Sequence, residues 1–182
     1  MGTGQMAAVI TGAGWRTAAR EDAGFAVIVR EHQSMVYSIA WHFFRNRALA
    51  EEIAQDVFLQ LFRNLDGIES PGHLEAWLRR TASNRCIDAW RKKGHKEEIP
   101  MEGLPEPSHG MKLGDPMMRE TLRKLIASLP ETQRMVMILK YGEDLDPDEI
   151  AQTLGMPVRT VWSHLRRGVG MLKEKMARVM EH

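Results

Sequence analysis

Six residues within nine positions, Arg159, Thr160, Trp162, Ser163, Arg166 and Arg167, bring together guanidinium groups, hydroxyls and an indole. Cations and hydroxyls of this kind hold phosphates, and an aromatic beside them suits a nucleic-acid surface. Interleaved with them, Val158, Val161, Leu165, Val169 and Leu172 recur every three or four residues. That spacing predicts one helix with an apolar side turned to a core and a basic side turned outward. A shorter helix precedes it. Asp146 is a good N-cap, Pro147 suits the first helical position, and Glu149 stands where a capping box needs it. Ile150, Ala151 and Leu154 give this helix an apolar face, and Gly155 can take the left-handed conformation that ends it. Two helices across a tight glycine turn predict a helix-turn-helix. A helical hairpin with a solvated basic face would carry similar charges. The asymmetry favours DNA: residues 158–180 hold six Lys or Arg against Glu174, while 143–149 hold five acids.

A second basic stretch runs through HLEAWLRRTASNRCIDAWRKK at 73–93, opened by Ser70-Pro71 as cap and first position. Leu74, Trp77, Leu78, Ala82, Ile87 and Trp90 are candidates for packing, and Arg79, Arg80, Asn84, Arg85, Arg91, Lys92 and Lys93 keep much of the surface basic. Aromatics among cations suit a single strand, although Trp77 and Trp90 read better as core. Upstream, a helix from about Ala48 to Leu65 turns Leu49, Ile53, Val57, Leu61 and Leu65 inward. Its other side shows Glu51, Glu52, Gln55 and Asp56. Like charges at Glu52 and Asp56 disfavour an isolated helix slightly, an effect reduced near the positive helix start. This side reads equally as a solvated acidic face or as a docking surface for a basic partner. Before it, Phe25, Ile28, Val29, His32, Val36, Ile39, Ala40 and Phe43 form one helical stripe ending near Arg45-Asn46. His32 reads as a core residue.

The 182 residues, 43% hydrophobic, suffice for two small helical domains. Residues 1–24, rich in Gly, Ala and Thr, predict a poorly ordered arm, and Met6 would serve as an alternative start. Residues 25–93 form the first domain. Residues 94–117, with Gly94, Gly103, Gly110, Gly114, Pro100, Pro105, Pro107 and Pro116, read as a flexible linker. Extended, it reaches about 80 Å at roughly 3.4 Å per residue. Residues 118–182 form the second domain, in which Leu122, Leu125, Ile126 and Leu129 make a helix ended by Pro130, and Val136, Met137, Leu139 and Lys140 belong to another. The fold class expected is all-α. Cys86 stands alone, which fits a reducing compartment. The chain shows no signal peptide and no apolar run long enough for a membrane span, so a soluble cytoplasmic protein is expected. The seven histidines and Cys86 form no ligand motif, so neither a metal, another cofactor nor a catalytic residue is expected.

Three motifs in order resemble those of the extracytoplasmic-function (ECF) sigma factors, the small two-domain class of the sigma-70 family. AEEIAQDVF at 50–58 resembles the segment that binds core RNA polymerase. WLRRTASNRCIDAWRKK at 77–93 resembles the -10 recognition helix. LPETQRMV at 129–136 with EIAQTLGMPVRTVWSHLRR at 149–167 resembles the -35 reader. Thr81, Arg85, His164 and Gly168 depart from the residues frequent at those positions.

The resemblance implies a subunit that binds core polymerase, directs it to promoters and promotes transcription initiation without catalysis of its own. Glu51, Glu52, Gln55 and Asp56 would face the beta-prime clamp helices, and the beta flap would be a further contact. Arg80, Asn84, Asp88 and Arg91, with the loop 66–72, would melt the -10 element and hold its non-template strand. Arg159, Thr160, Trp162, Ser163, Arg166 and Arg167 would enter or flank the -35 major groove. An anti-sigma factor is implied as a further partner. Two other readings use the same residues: a sigma-like decoy that sequesters an anti-sigma factor, and a stand-alone helix-turn-helix regulator. The decoy does not need the cations at 159, 166 and 167, and the stand-alone regulator leaves the acidic and Trp-bearing helices without a purpose.

Overall fold

A computed structural model describes residues 22–92 and 116–180. Both stretches are helical, with no strand among the described residues. The expected arm before position 22 and most of the expected linker lie outside them.

The first group of helices contains α1 (Asp22–Phe44), α2 (Arg47–Asn64) and α3 (Pro71–Lys92). The α1 helix begins three residues before Phe25, and Ile28, Val36, Ile39, Ala40 and Phe43 of its stripe are buried. His32 is only half-buried on that stripe. Trp41 and Phe44, adjacent to the stripe, are buried as well, because α1 is covered on more than one side. Arg45 takes a positive φ of 54° and lays its guanidinium 4.8 Å from the Trp41 ring centroid. Asn46 then caps α2, its side chain accepting a hydrogen bond from the Leu49 N–H at 3.0 Å. Leu49, Ile53, Val57, Leu61 and Leu65 all turn inward as expected. Between α2 and α3 a single 3-10 turn, Leu65–Gly67, leads into Ile68, which is fully buried and pins the polar loop to the core. Ser70 Oγ accepts from the His73 N–H, and Pro71 opens α3.

The second group contains α4 (Pro116–Ala127), α5 (Glu131–Tyr141), α6 (Pro147–Leu154) and α7 (Val158–Met180). Six consecutive residues of α5, Arg134 to Leu139, are buried, so α5 is the central helix, enclosed on all sides. Gly168 of α7 lies against it: a Cβ there would stand 3.3 Å from Met137. Val161 and Leu165 are buried beneath α7, and Val169 and Leu172 pack partly. Val158 departs from expectation. It lies 36% exposed because it occupies the first position of the helix, ahead of the stretch that crosses the core.

The two groups are docked on one another, α5 and α6 against α3 and the end of α1. At their junction Arg134 is 2% exposed. It donates to the Phe43 carbonyl at 3.2 Å and to the Leu129 carbonyl at 3.0 Å, and its guanidinium lies 4.3 Å from the Trp90 ring centroid and 5.0 Å from that of Phe43. Burial lowers its pKa to about 10, a fall opposed by the nearby Glu131 carboxylate, so the group stays cationic at neutral pH. No helix among the described residues is long and apolar enough to cross a membrane.

Candidate nucleic-acid interface

The helix-turn-helix is built from local chemistry. Asp146 accepts from the Asp148 and Glu149 N–H groups at 2.9 and 2.8 Å, and Glu149 Oε2 accepts from the Asp146 N–H at 2.8 Å. This reciprocal cap satisfies donors that the helix start leaves orphaned, an arrangement worth about 1 kcal/mol. Gly155 ends α6 at φ 64°, ψ 39°, and the Met156 N–H reaches back to the Ala151 carbonyl at 3.0 Å. A side chain at that φ is disfavoured by about 1–2 kcal/mol, so glycine suits the turn. Its nearest neighbour across the groups is the Arg80 guanidinium.

From this turn α7 projects Arg159, Trp162, Arg166 and Arg167 into solvent, with Thr160 and Ser163 half-buried among them. Ser163 Oγ donates to the Arg159 carbonyl at 3.1 Å, so the hydroxyl is bonded along its own helix. Trp162 is 56% exposed although it is the largest side chain of the helix. A basic face with an exposed aromatic fits a duplex groove. His164, between Ser163 and Leu165, is partly covered. Burial first, and the Arg167 charge second, hold its pKa below the usual histidine value.

On α3, Arg80, Asn84, Asp88 and Arg91 are all exposed and recur at four, four and three residues, a single stripe along the helix. Trp77 and Trp90 sit on the packed side, Trp90 edge-on to Phe43 at 6.3 Å, in keeping with core positions. Two members of the stripe meet the second group. Arg91 pairs with Glu131 at 3.4 Å, and Arg80 lies by Gly155. Arg79 pairs with Glu75 along the helix, and Arg85 donates twice to Gln60 Oε1, which fastens α3 to α2.

On α2, Glu51, Glu52, Gln55 and Asp56 are exposed together, with Glu51 accepting from Arg47 at 2.8 Å. Beside this ridge lies an open groove of about 840 Å³ between α1 and α2. Glu51 and Gln55 stand on its edge, and Phe25, Tyr37, Phe58 and Phe62 supply most of its apolar wall. Leu59 and Phe62 are 55% and 54% exposed there. Sequence reasoning missed this patch. The available signal was two large apolar residues standing off the inward stripe of α2.

Among the described residues, no three His, Cys, Asp or Glu side chains converge on a metal-sized site. Cys86 is wholly buried, and burial pushes its thiol pKa far up. The exposed charged faces of α2, α3 and α7, and the apolar patch at Leu59 and Phe62, are surfaces of the kind that bind macromolecules.

Residues 28–96 match the family described as Sigma-70 region 2, and residues 119–172 match Sigma-70, region 4. Over 160 residues the chain is 32% identical to the ECF RNA polymerase sigma factor SigE of Mycolicibacterium smegmatis, covering 83% of this chain and 61% of that protein. It thus spans about three-fifths of that relative's length. It is 31% identical over 165 residues to the ECF RNA polymerase sigma factor SigW of Bacillus subtilis, covering 84% of this chain and 88% of SigW. Two solved structures share the fold. CnrH, in complex with the cytosolic domain of CnrY, gives a TM-score of 0.66 at 18% identity over 90% of this chain and 96% of that one. The sigma factor RpoE of Bartonella quintana, in complex with the anti-sigma factor NepR, gives 0.65 at 20% identity over 84% and 96%.

Proposed function

The chain belongs to the extracytoplasmic-function class of the sigma-70 family, and from that premise we propose that it binds core RNA polymerase, directs it to promoters through the -10 and -35 elements, and promotes initiation. It acts in the cytoplasm and performs no covalent chemistry. The observation that carries this reading is the order of three exposed faces along one chain: the acidic ridge on α2, the polar and basic stripe on α3, and the basic face of α7.

In this reading Glu51, Glu52, Gln55 and Asp56 meet the polymerase clamp, supported by the apolar groove beside them. Arg80, Asn84, Asp88 and Arg91 hold the melted -10 strand. Arg159, Thr160, Trp162, Ser163, Arg166 and Arg167 read the -35 duplex, their cations taking phosphates and one or two guanidiniums reaching base edges. The functional division runs 25–93, 94–117 and 118–182, so the linker carries the second domain from one DNA site to the other. In the docked arrangement the face of α7 is open, while Glu131 occupies Arg91 and the turn at Gly155 abuts Arg80. Full use of the α3 stripe requires the contact of α5 and α6 with α3 to open. An anti-sigma factor completes the proposed set of partners.

The test is run-off transcription with core RNA polymerase, with and without this protein, on genomic fragments that include its own upstream region. Protein-dependent starts at discrete positions are expected. No starts, with tight binding to the inhibitor of another sigma factor, would replace this reading with the decoy.

A further inference from the structure

On the first turns of α7, Val158 and Trp162 stand in water, 36% and 56% exposed. Four residues apart, they lie on one side of the helix, separated by about 6 Å along its axis at 1.5 Å per residue. The core beneath this stretch is filled by other side chains, Val161 and Leu165. Cations surround the exposed pair: Arg159 follows Val158, and Arg166 stands one turn beyond Trp162, both exposed. A partner that covers this face must therefore be anionic at its margin and apolar within. The major groove of duplex DNA is both, since phosphates line its edges and the C5-methyl of thymine is the apolar group displayed on its floor. The place of the pair along α7 agrees. In a helix-turn-helix the N-terminal residues of the second helix reach the base edges, and Val158 and Trp162 are the first and fifth residues of that helix.

We propose that Val158 and Trp162 are specificity-determining residues of the -35 reader, their apolar surfaces covering the C5-methyl groups of one or two thymines in the major groove. This rests on the reading above, in which α7 enters that groove, and adds which base its first turns select. Base pairs rise about 3.4 Å, so side chains about 6 Å apart along the helix place their contacts within roughly two base-pair steps of each other. Arg159, Arg166 and Arg167 supply affinity through phosphates or guanine edges, and the indole supplies discrimination. Cytosine, with an amino donor and no methyl, sets a polar edge against it. Deoxyuridine isolates the effect, because it keeps the hydrogen-bonding groups of thymine and lacks only the methyl. One buried methyl corresponds to a change in affinity of about threefold to fivefold.

The experiment uses holoenzyme assembled from core polymerase and the full chain, with fragments of a mapped promoter whose -35 segment is randomised. Retained fragments are expected to be enriched in thymine, on either strand, at one or two positions within two steps of each other. Replacing those thymines by deoxyuridine in the best-retained duplex should weaken gel-shift binding about threefold to fivefold per methyl. Val158→Ser combined with Trp162→Gln should bind the thymine and deoxyuridine duplexes alike. Both positions are exposed, so this variant is expected to keep its fold, checked by circular dichroism. A deoxyuridine duplex bound as tightly as its thymine parent, or a thymine preference that survives in the variant, would overturn the methyl contact while leaving α7 as the -35 reader. Retention with no base preference anywhere in the randomised segment would instead remove α7 from the -35 site, and this inference with it. A variant with unchanged base preference that captures less core polymerase would overturn the inference in favour of a protein partner for the indole.

Discussion

The guanidinium of Arg134 stacks on the Trp90 ring at 4.3 Å, joining a helix of the second group to the last turn of α3. It is a buried cation held by two main-chain carbonyls and two aromatic faces. Its desolvation cost is therefore offset by cation–π contacts, which strengthen when water is excluded, and by charge-assisted hydrogen bonds. Truncation would leave both carbonyls unpaired and a void beside Phe43. Arg134→Ala is expected to lower stability by about 2–3 kcal/mol in guanidinium unfolding. Arg134→Met, which fills the volume without the charge, should cost less than half as much. Equal losses would mean that filling the space contributes nothing.

Asp56 stands exposed on the polar face of α2, with no burial to make its carboxylate structural. Asp56→Arg should leave the unfolding midpoint nearly unchanged, as surface substitutions usually do. Binding to core polymerase in a pull-down should nevertheless fall at least tenfold. Unchanged capture would remove this ridge from the polymerase contact.

Arg166 points into solvent from the middle of the α7 basic face. Losing a guanidinium that reads a base edge costs about 1–3 kcal/mol. Arg166→Ala should therefore weaken holoenzyme binding to a cognate -35 duplex by roughly tenfold to a hundredfold, measured by gel shift at fixed salt. A loss that is equal on all sequences and lowers the salt slope would instead assign Arg166 to a phosphate.

The depressed pKa of His164 makes stability depend on pH with a definite sign. Below about 6.5 the unfolded histidine takes a proton that the native one, covered and next to Arg167, resists. Between its native pKa and about 6.5 the unfolded chain binds more protons, so stability falls as pH drops through that window and levels off beneath it. His164→Gln should flatten this part of the curve in thermal unfolding followed from pH 8 to pH 5. A profile identical to that of the parent chain would show that His164 does not contribute.

Elements governed by neighbours in sequence are legible from residue types and spacing alone. The Asp146 cap, the Pro147 start and the Gly155 stop all act within one helical turn, and each has the geometry that the residue types require. The inward stripe of α2 follows because a helix with one packed side must repeat its apolar residues every three or four positions. The same rule failed at Val158, since periodicity tells which way a residue points and not whether anything lies there. It also passed over Leu59 and Phe62, whose exposure depends on where α1 crosses α2.

By itself, then, the sequence determined the helices, their caps, and the three exposed faces that the motifs place in order along the chain. Only the tertiary structure decided which of those faces are open. The groove at Phe62 is a void between two helices, and the burial of Arg134 depends on residues 91 positions apart in the chain meeting at Phe43. Local propensity carries no information about such pairs, because a cation's environment is set by what packs over it and not by its neighbours in sequence.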